Sequence, residues 1–139
     1  MRLDPTRARE VGRELQLHAS LSYFHGKTML PFLQEGDQVA VLPVTWHDIR
    51  IGDVLTYRHE DKFPTRRVMR RRAQHVVLRA DSMAGRPVFV VPREDVLGRA
   101  VARQRDGRWL YRHQWSWRWA AVRAVASHYL AHAWWLLGR

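Results

Sequence analysis

Gly26-Lys27-Thr28-Met29-Leu30-Pro31, followed by Glu35-Gly36-Asp37 and then Gln38-Val39-Ala40-Val41-Leu42-Pro43-Val44, is the stretch from which the fold is read. It holds a loop opened by glycine and closed by proline, a Gly-Asp turn, and a run of β-formers. The same order recurs at Gly52-Asp53, which opens Val54-Leu55-Thr56-Tyr57. Two turn-to-strand units in close succession predict a domain built mainly of strands.

Working outward, Ala19, Leu21 and Tyr23 alternate with polar residues over 18–24, which predicts a half-buried strand entering the Gly26 loop. Further strands are expected at 65–69, 75–79, 87–91 and 96–104, and Asp106-Gly107 reads as a hairpin turn into Trp109-Leu110-Tyr111. Asp4 followed by Pro5 resembles an N-cap and first helical position, and Ala8, Val11 and Leu15 recur at helical spacing. An N-terminal helix is therefore expected within 1–20. Beyond Trp115 the composition turns to Ala, Leu and Trp, which predicts a helix over 120–137. The expected architecture is mainly β (α+β): a helix in 1–20, a β domain over 21–112, and a Trp- and Arg-rich helical segment over 113–139.

A chain of 139 residues with 46% hydrophobic composition suffices for one compact core. Its 24 Lys and Arg against 13 Asp and Glu give +11, nearly all of the excess being arginine. That balance favours anionic partners such as lipid headgroups, nucleic acid or acidic peptide. With no cysteine, disulfides and thiolate metal sites are excluded. The opening Met1-Arg2-Leu3-Asp4-Pro5 lacks an apolar signal region, so a cytoplasmic location is the expectation. The stretch without fixed charge, 124–137, is 14 residues long against about 20 for a spanning helix, which disfavours a membrane span.

The loop and its Gly-Asp turn resemble the nucleophile loop of type I signal peptidases and LexA-like serine–lysine peptidases, with Thr28 where that superfamily has serine. Four later features match in order: Gly52-Asp53-Val54; Arg66-Arg67-Val68, where the family has Lys-Arg-Val or His-Arg-Val; Ala80-Asp81, where it has Gly-Asp; and Leu97-Gly98-Arg99. The resemblance covers roughly residues 21–103. It implies a signal peptidase/LexA-like β-fold, Thr28 at the nucleophile position, Arg66 at the general-base position, and Gly26, Met29, Pro31, Asp37 and Asp81 as groove or support residues. It implies no cofactor.

Both catalytic positions depart from the family pattern. There, a buried neutral Lys or His takes the proton from the serine hydroxyl while main-chain N–H groups stabilise the oxyanion. An arginine, whose guanidinium stays protonated far above neutral pH, would cost about 7.5 kcal/mol to deprotonate at pH 7. Arg66 holds an anion but does not serve as a base. Threonine acts as a nucleophile when its own N-terminal amine is the base, and Thr28 is internal. His25, His59 and His75 are the substitute bases the sequence offers, each with an ordinary pKa near 6.5.

Each feature also has a plainer reading. Thr28 reads equally as a loop hydroxyl bonded to nearby backbone, and Met29 as core filler. Asp37, Asp53 and Asp81 fall at turns, where a carboxylate accepts local N–H bonds, and no metal-ligand spacing accompanies them. Arg66-Arg67-Val68-Met69-Arg70-Arg71-Arg72 alternates its faces along a strand, and a solvated hairpin competes with a nucleic-acid surface. No zinc-finger or RNA-binding signature is present, and too few residues precede the domain for a helix-turn-helix, so sequence-specific nucleic-acid binding is not expected. His128 and His132 stand four apart without a third ligand. The Trp- and Arg-rich 115–139 suits an anionic membrane surface, and equally a domain or dimer interface.

These readings lead to one expectation and two alternatives. The expectation is an inactive peptidase homologue that binds a peptide or protein partner, in the manner of an accessory to peptide modification or secretion. The alternatives are an active peptidase using Thr28 with an unconventional base, and a peripheral membrane-associated protein.

Overall fold

A computed structural model describes residues 20–82 and 88–137, with backbone alone at 132, 135 and 136. The helix expected within 1–20 lies outside the described residues, apart from Ser20, which is in a strand. The remainder is mainly β: an eight-stranded antiparallel sheet and one C-terminal helix. The strands are β1 (Ser20–Tyr23), β2 (Gln38–Leu42), β3 (Val54–Tyr57), β4 (Thr65–Arg71), β5 (His75–Arg79), β6 (Phe89–Pro92), β7 (Val96–Arg105) and β8 (Arg108–Tyr111). They are ordered β1-β2-β7-β3-β4-β5-β6, and β8 pairs with β7.

The ten-residue β7 is the spine of the sheet. Its first half pairs with β3 and its second half with β8, while β2 runs along its other edge. A bulge in the β2 pairing falls between Ala40 and Val41. Nearby, a Cβ placed on Gly98 would lie 2.5 Å from the Leu42 carbonyl oxygen and 2.7 Å from Val41 Cγ1. Only a residue without a side chain lets the two strands approach so closely.

Both Gly-Asp turns share one local design. Gly36 and Gly52 sit at φ of +87° and +93°, where an L side chain is strained. In each, the following aspartate accepts a backbone N–H from three residues earlier: Asp37 Oδ2 from Gln34 at 2.8 Å, and Asp53 Oδ2 from Arg50 at 2.8 Å. A short carboxylate bonded back to the backbone in this way closes the turn locally. At Asp106-Gly107 both residues have positive φ, the backbone a two-residue hairpin requires.

Strand alternation sends side chains into two cores. Val39, Val41 and Val54 join Phe24, Met29, Phe32, Leu33, Ala100 and Trp117 in one cluster. Leu55, Tyr57, Val68, Val76 and Leu78 join Trp46, Ile49 and Val91 in the other. The helix α1 (Trp115–Leu137) starts at Trp115, earlier than the sequence pattern predicts. The cause is tertiary: Trp117 is buried edge-on against Phe32, with ring centroids 4.7 Å apart. Gln114 shapes the entry, its side-chain oxygen accepting the Tyr111 N–H at 2.8 Å and its carbonyl accepting the Arg118 N–H. No helix of the described residues is long and apolar enough to cross a membrane.

Candidate functional site

A cleft of about 820 Å³ opens where the two cores meet, with Phe24 and Val39 of the first and Tyr57 and Val91 of the second in its lining. Both terminal strands of the sheet border it, through Ser22 and Tyr23 on β1 and Phe89 and Val90 on β6. Among the described residues β1 pairs only with β2, and β6 only with β5. Each therefore keeps one edge of main-chain N–H and C=O groups outside the ladder. Tyr23 and Val90 are each 64% exposed, so apolar side chains stand at both rims.

Thr28 and Arg66 meet in this cleft, as the sequence reading pairs them. Thr28 is half-buried, and its carbonyl is held by the Ser82 N–H at 3.0 Å and the Ser82 hydroxyl at 2.9 Å. Its Oγ1 accepts a hydrogen bond from Arg66 Nη1 at 3.2 Å. The same nitrogen donates to the Thr65 carbonyl at 2.8 Å, and the guanidinium carbon sits 5.5 Å from the Phe89 ring centre. Burial pushes the Arg66 pKa below its ordinary value, against the Tyr57 charge, which works to raise it. Burial likewise raises the Tyr57 phenol, while Arg66 works to lower it.

A guanidinium only donates hydrogen bonds, so it takes no proton from a hydroxyl. Among the described residues no histidine, lysine or carboxylate hydrogen-bonds Thr28 Oγ1, whose partner is Arg66. His25 and His59 line the cleft, whereas His75 lies on β5 opposite Pro92, outside the lining. His25 faces Glu35, with Nδ1 to Oε1 at 3.8 Å. The lining carries Lys62 and Arg66 and, among the described residues, no Asp or Glu. Arg66 Nε is buried without a hydrogen-bond partner. The cleft is thus a cationic floor between two apolar, unpaired strand edges.

The other residues singled out in the sequence have structural positions. Met29 is fully buried in the first core and does not line the cleft. Gly26, at φ +97°, turns the chain out of β1, and Pro31 lies beside a separate cavity under α1. Asp37 is held by Arg105 through two bonds of 2.9 and 2.7 Å. Burial works to raise its pKa, but the Arg105 and Gln34 hydrogen bonds and the charges of Arg105 and Arg103 outweigh it and hold it below the usual value. Asp53 accepts from Arg99 at 3.2 Å and from Arg112 at 2.8 Å.

Asp81 departs from the local-turn reading. Its carboxylate is gripped by Arg67, Nε at 2.8 Å and Nη2 at 2.6 Å, while Arg67 Nη1 donates to the Gly52 carbonyl at 2.8 Å. Arg67 is fully buried, so the arginine run of β4 is not simply a solvated hairpin. Arg70 and Arg72 are exposed, but Arg67 points the opposite way from Arg66 and lies 4.8 Å from the Phe32 ring centre. Opposite it on β5 stands Arg79, also fully buried, which donates to the Ala124 carbonyl of α1 at 2.6 Å.

Sequence reasoning missed Arg79, Tyr57, Lys62 and Phe89. The two-residue period separates Arg66 from Arg67, but nothing local names their partners. Among the described residues no group of three His, Asp or Glu is placed to hold a metal ion. No protein-family model and no curated protein matches the chain.

Proposed function

We propose that this chain is a signal peptidase/LexA-like peptidase-fold protein that has exchanged cleavage for binding, taking an extended, acidic peptide segment into the cleft. The observation that carries the reading is the Thr28–Arg66 pair: the hydroxyl at the nucleophile position is bonded to a permanent cation rather than to a base. The ordered motifs of 21–103 supply the family half of the proposal. The cleft supplies the binding half, because an extended segment laid between β1 and β6 gains main-chain hydrogen bonds without any nucleophile. Arg66 and the acid-free lining favour a carboxylate on that segment. A role beside a peptide-modifying or secretory system fits such a protein.

The test is fluorescence anisotropy with a short labelled peptide rich in β-branched residues and carrying one glutamate. Binding is expected, and proline at alternate positions abolishes it by removing ladder N–H groups. Arg66→Gln weakens binding of the glutamate peptide about 10- to 100-fold, the range of a charge-assisted hydrogen bond, and leaves the glutamine version unchanged. Mass spectrometry of the incubated peptide decides the chemistry. Cleavage that disappears in Thr28→Ala would replace this proposal with an active threonine peptidase, with His25 or His59 as the base to examine.

A further inference from the structure

The helix α1 carries a surface that the cleft does not explain. It is apolar on two opposite faces. The inward face is covered by the domain: Trp117 fills the core, Ala121 packs on Gly52, and the Ala124 carbonyl accepts from Arg79. The outward face repeats every three to five residues with one longer step, through Trp115, Trp119, Val122, Tyr129, Trp134 and Leu137. Trp115 and Trp134 are each 75% exposed and Leu137 81%. A helix with a second apolar face turned to solvent presents a contiguous patch of the kind that marks a protein or membrane contact.

We propose that this outward face rests on an anionic lipid surface, with α1 lying along the interface and not across it. Charge selects the occupant. No Asp or Glu follows Asp106 in the sequence, and the exposed Arg118 and Arg123 lie on the helix itself, with exposed Arg50 beside Arg118 at its flank. Two copies packed through this face would set arginine against arginine with no carboxylate on either helix to pair them. Lipid phosphates supply the missing anions, and exposed indole and phenol rings match headgroup depth, where one side is apolar and the other wet. No helix of the described residues is long and apolar enough to span, which is consistent with a flat orientation.

Co-sedimentation of the full chain with phosphatidylcholine vesicles, with and without phosphatidylglycerol, tests the proposal. Binding to the anionic vesicles is expected, falling as salt rises. The double substitution Trp119→Ser/Trp134→Ser lowers the partition coefficient about tenfold or more, while the chain stays folded by circular dichroism because Trp134 is exposed and Trp119, half-exposed, stacks on the exposed Trp115 rather than in the core. Arg118→Gln/Arg123→Gln lowers it on anionic vesicles alone. Equal binding to both vesicle types, no binding to either, or parent-like binding by the tryptophan variant overturns the proposal. So does a concentration-dependent dimer dissolved by the same tryptophan substitutions, which assigns the face to a second copy.

Discussion

Arg66 and Arg67 are adjacent in one strand and serve opposite faces of the sheet. Arg67 points beneath α1, where it is fully buried, holds Asp81 through two bonds, and shares that acid's field with Arg79 across the ladder. Arg66 points into the cleft, bonds a hydroxyl and a carbonyl, and has no carboxylate beside it among the described residues. The same contrast extends outward. On the framework side Asp37 and Asp53 are also taken by arginines from β7 and from the turn after β8, whereas the cleft lining holds no Asp or Glu among the described residues. Arg67 fixes architecture with its own anion and Arg79 does so on a helix carbonyl, both sealed from solvent, whereas Arg66 faces an open cleft and is available to a ligand.

The strongest way to break this contrast is Asp81→Asn. The amide keeps the shape but strands the Arg67 guanidinium, whose side chain is 0% exposed, beside Arg79. Loss of one partner of a buried pair typically costs about 3–5 kcal/mol. Urea unfolding checks it, and a loss under about 1 kcal/mol would show that Asp81 is dispensable to the frame.

Acid titrates the framework from a second direction. Because the Asp37 carboxyl is held below its unfolded value of about 3.9, its contribution is fully present above that pH and is lost as pH falls through the lower, folded value. Stability of the parent chain should therefore drop more steeply below about pH 4 than that of Asp37→Asn. Parallel curves in a urea series from neutral to acid pH would remove Asp37 from the account.

The smallest effect is expected in the cleft, where it sharpens the comparison. Arg66→Gln strands no carboxylate and relieves a desolvated cation, so stability should change by less than about 1 kcal/mol even while peptide binding falls. A loss approaching that of Asp81→Asn would place Arg66 with the framework arginines and erase the distinction.

How legible these regions are in the sequence follows from the range of the forces that make them. The Gly-Asp turns are closed by bonds spanning three residues, and the Asp106-Gly107 hairpin by two backbone angles, so a short window contains their cause. The mainly β fold and the strand positions follow from those turns and from alternation. Arg67 and Asp81, by contrast, are 14 residues apart, and Arg79 and Ala124 are 45 apart. No periodicity links either pair. The early start of α1 is of the same kind, since a Trp-Ser-Trp-Arg-Trp run becomes helical where Trp117 finds Phe32. Met29 was readable both as core filler and as a groove residue, and only packing placed it wholly in the core.

By itself the sequence determined the turns, the strand order along the chain, the C-terminal helix, and a permanent cation at position 66. Those depend on backbone preference, side-chain period and the proton affinity of a guanidinium, all properties of residues and their near neighbours. Tertiary structure alone decided which arginines own a carboxylate, that β1 and β6 border one cleft, and that α1 leaves an apolar face uncovered. Each depends on segments distant in sequence being brought together by burial of the two cores, and burial sums over the whole chain.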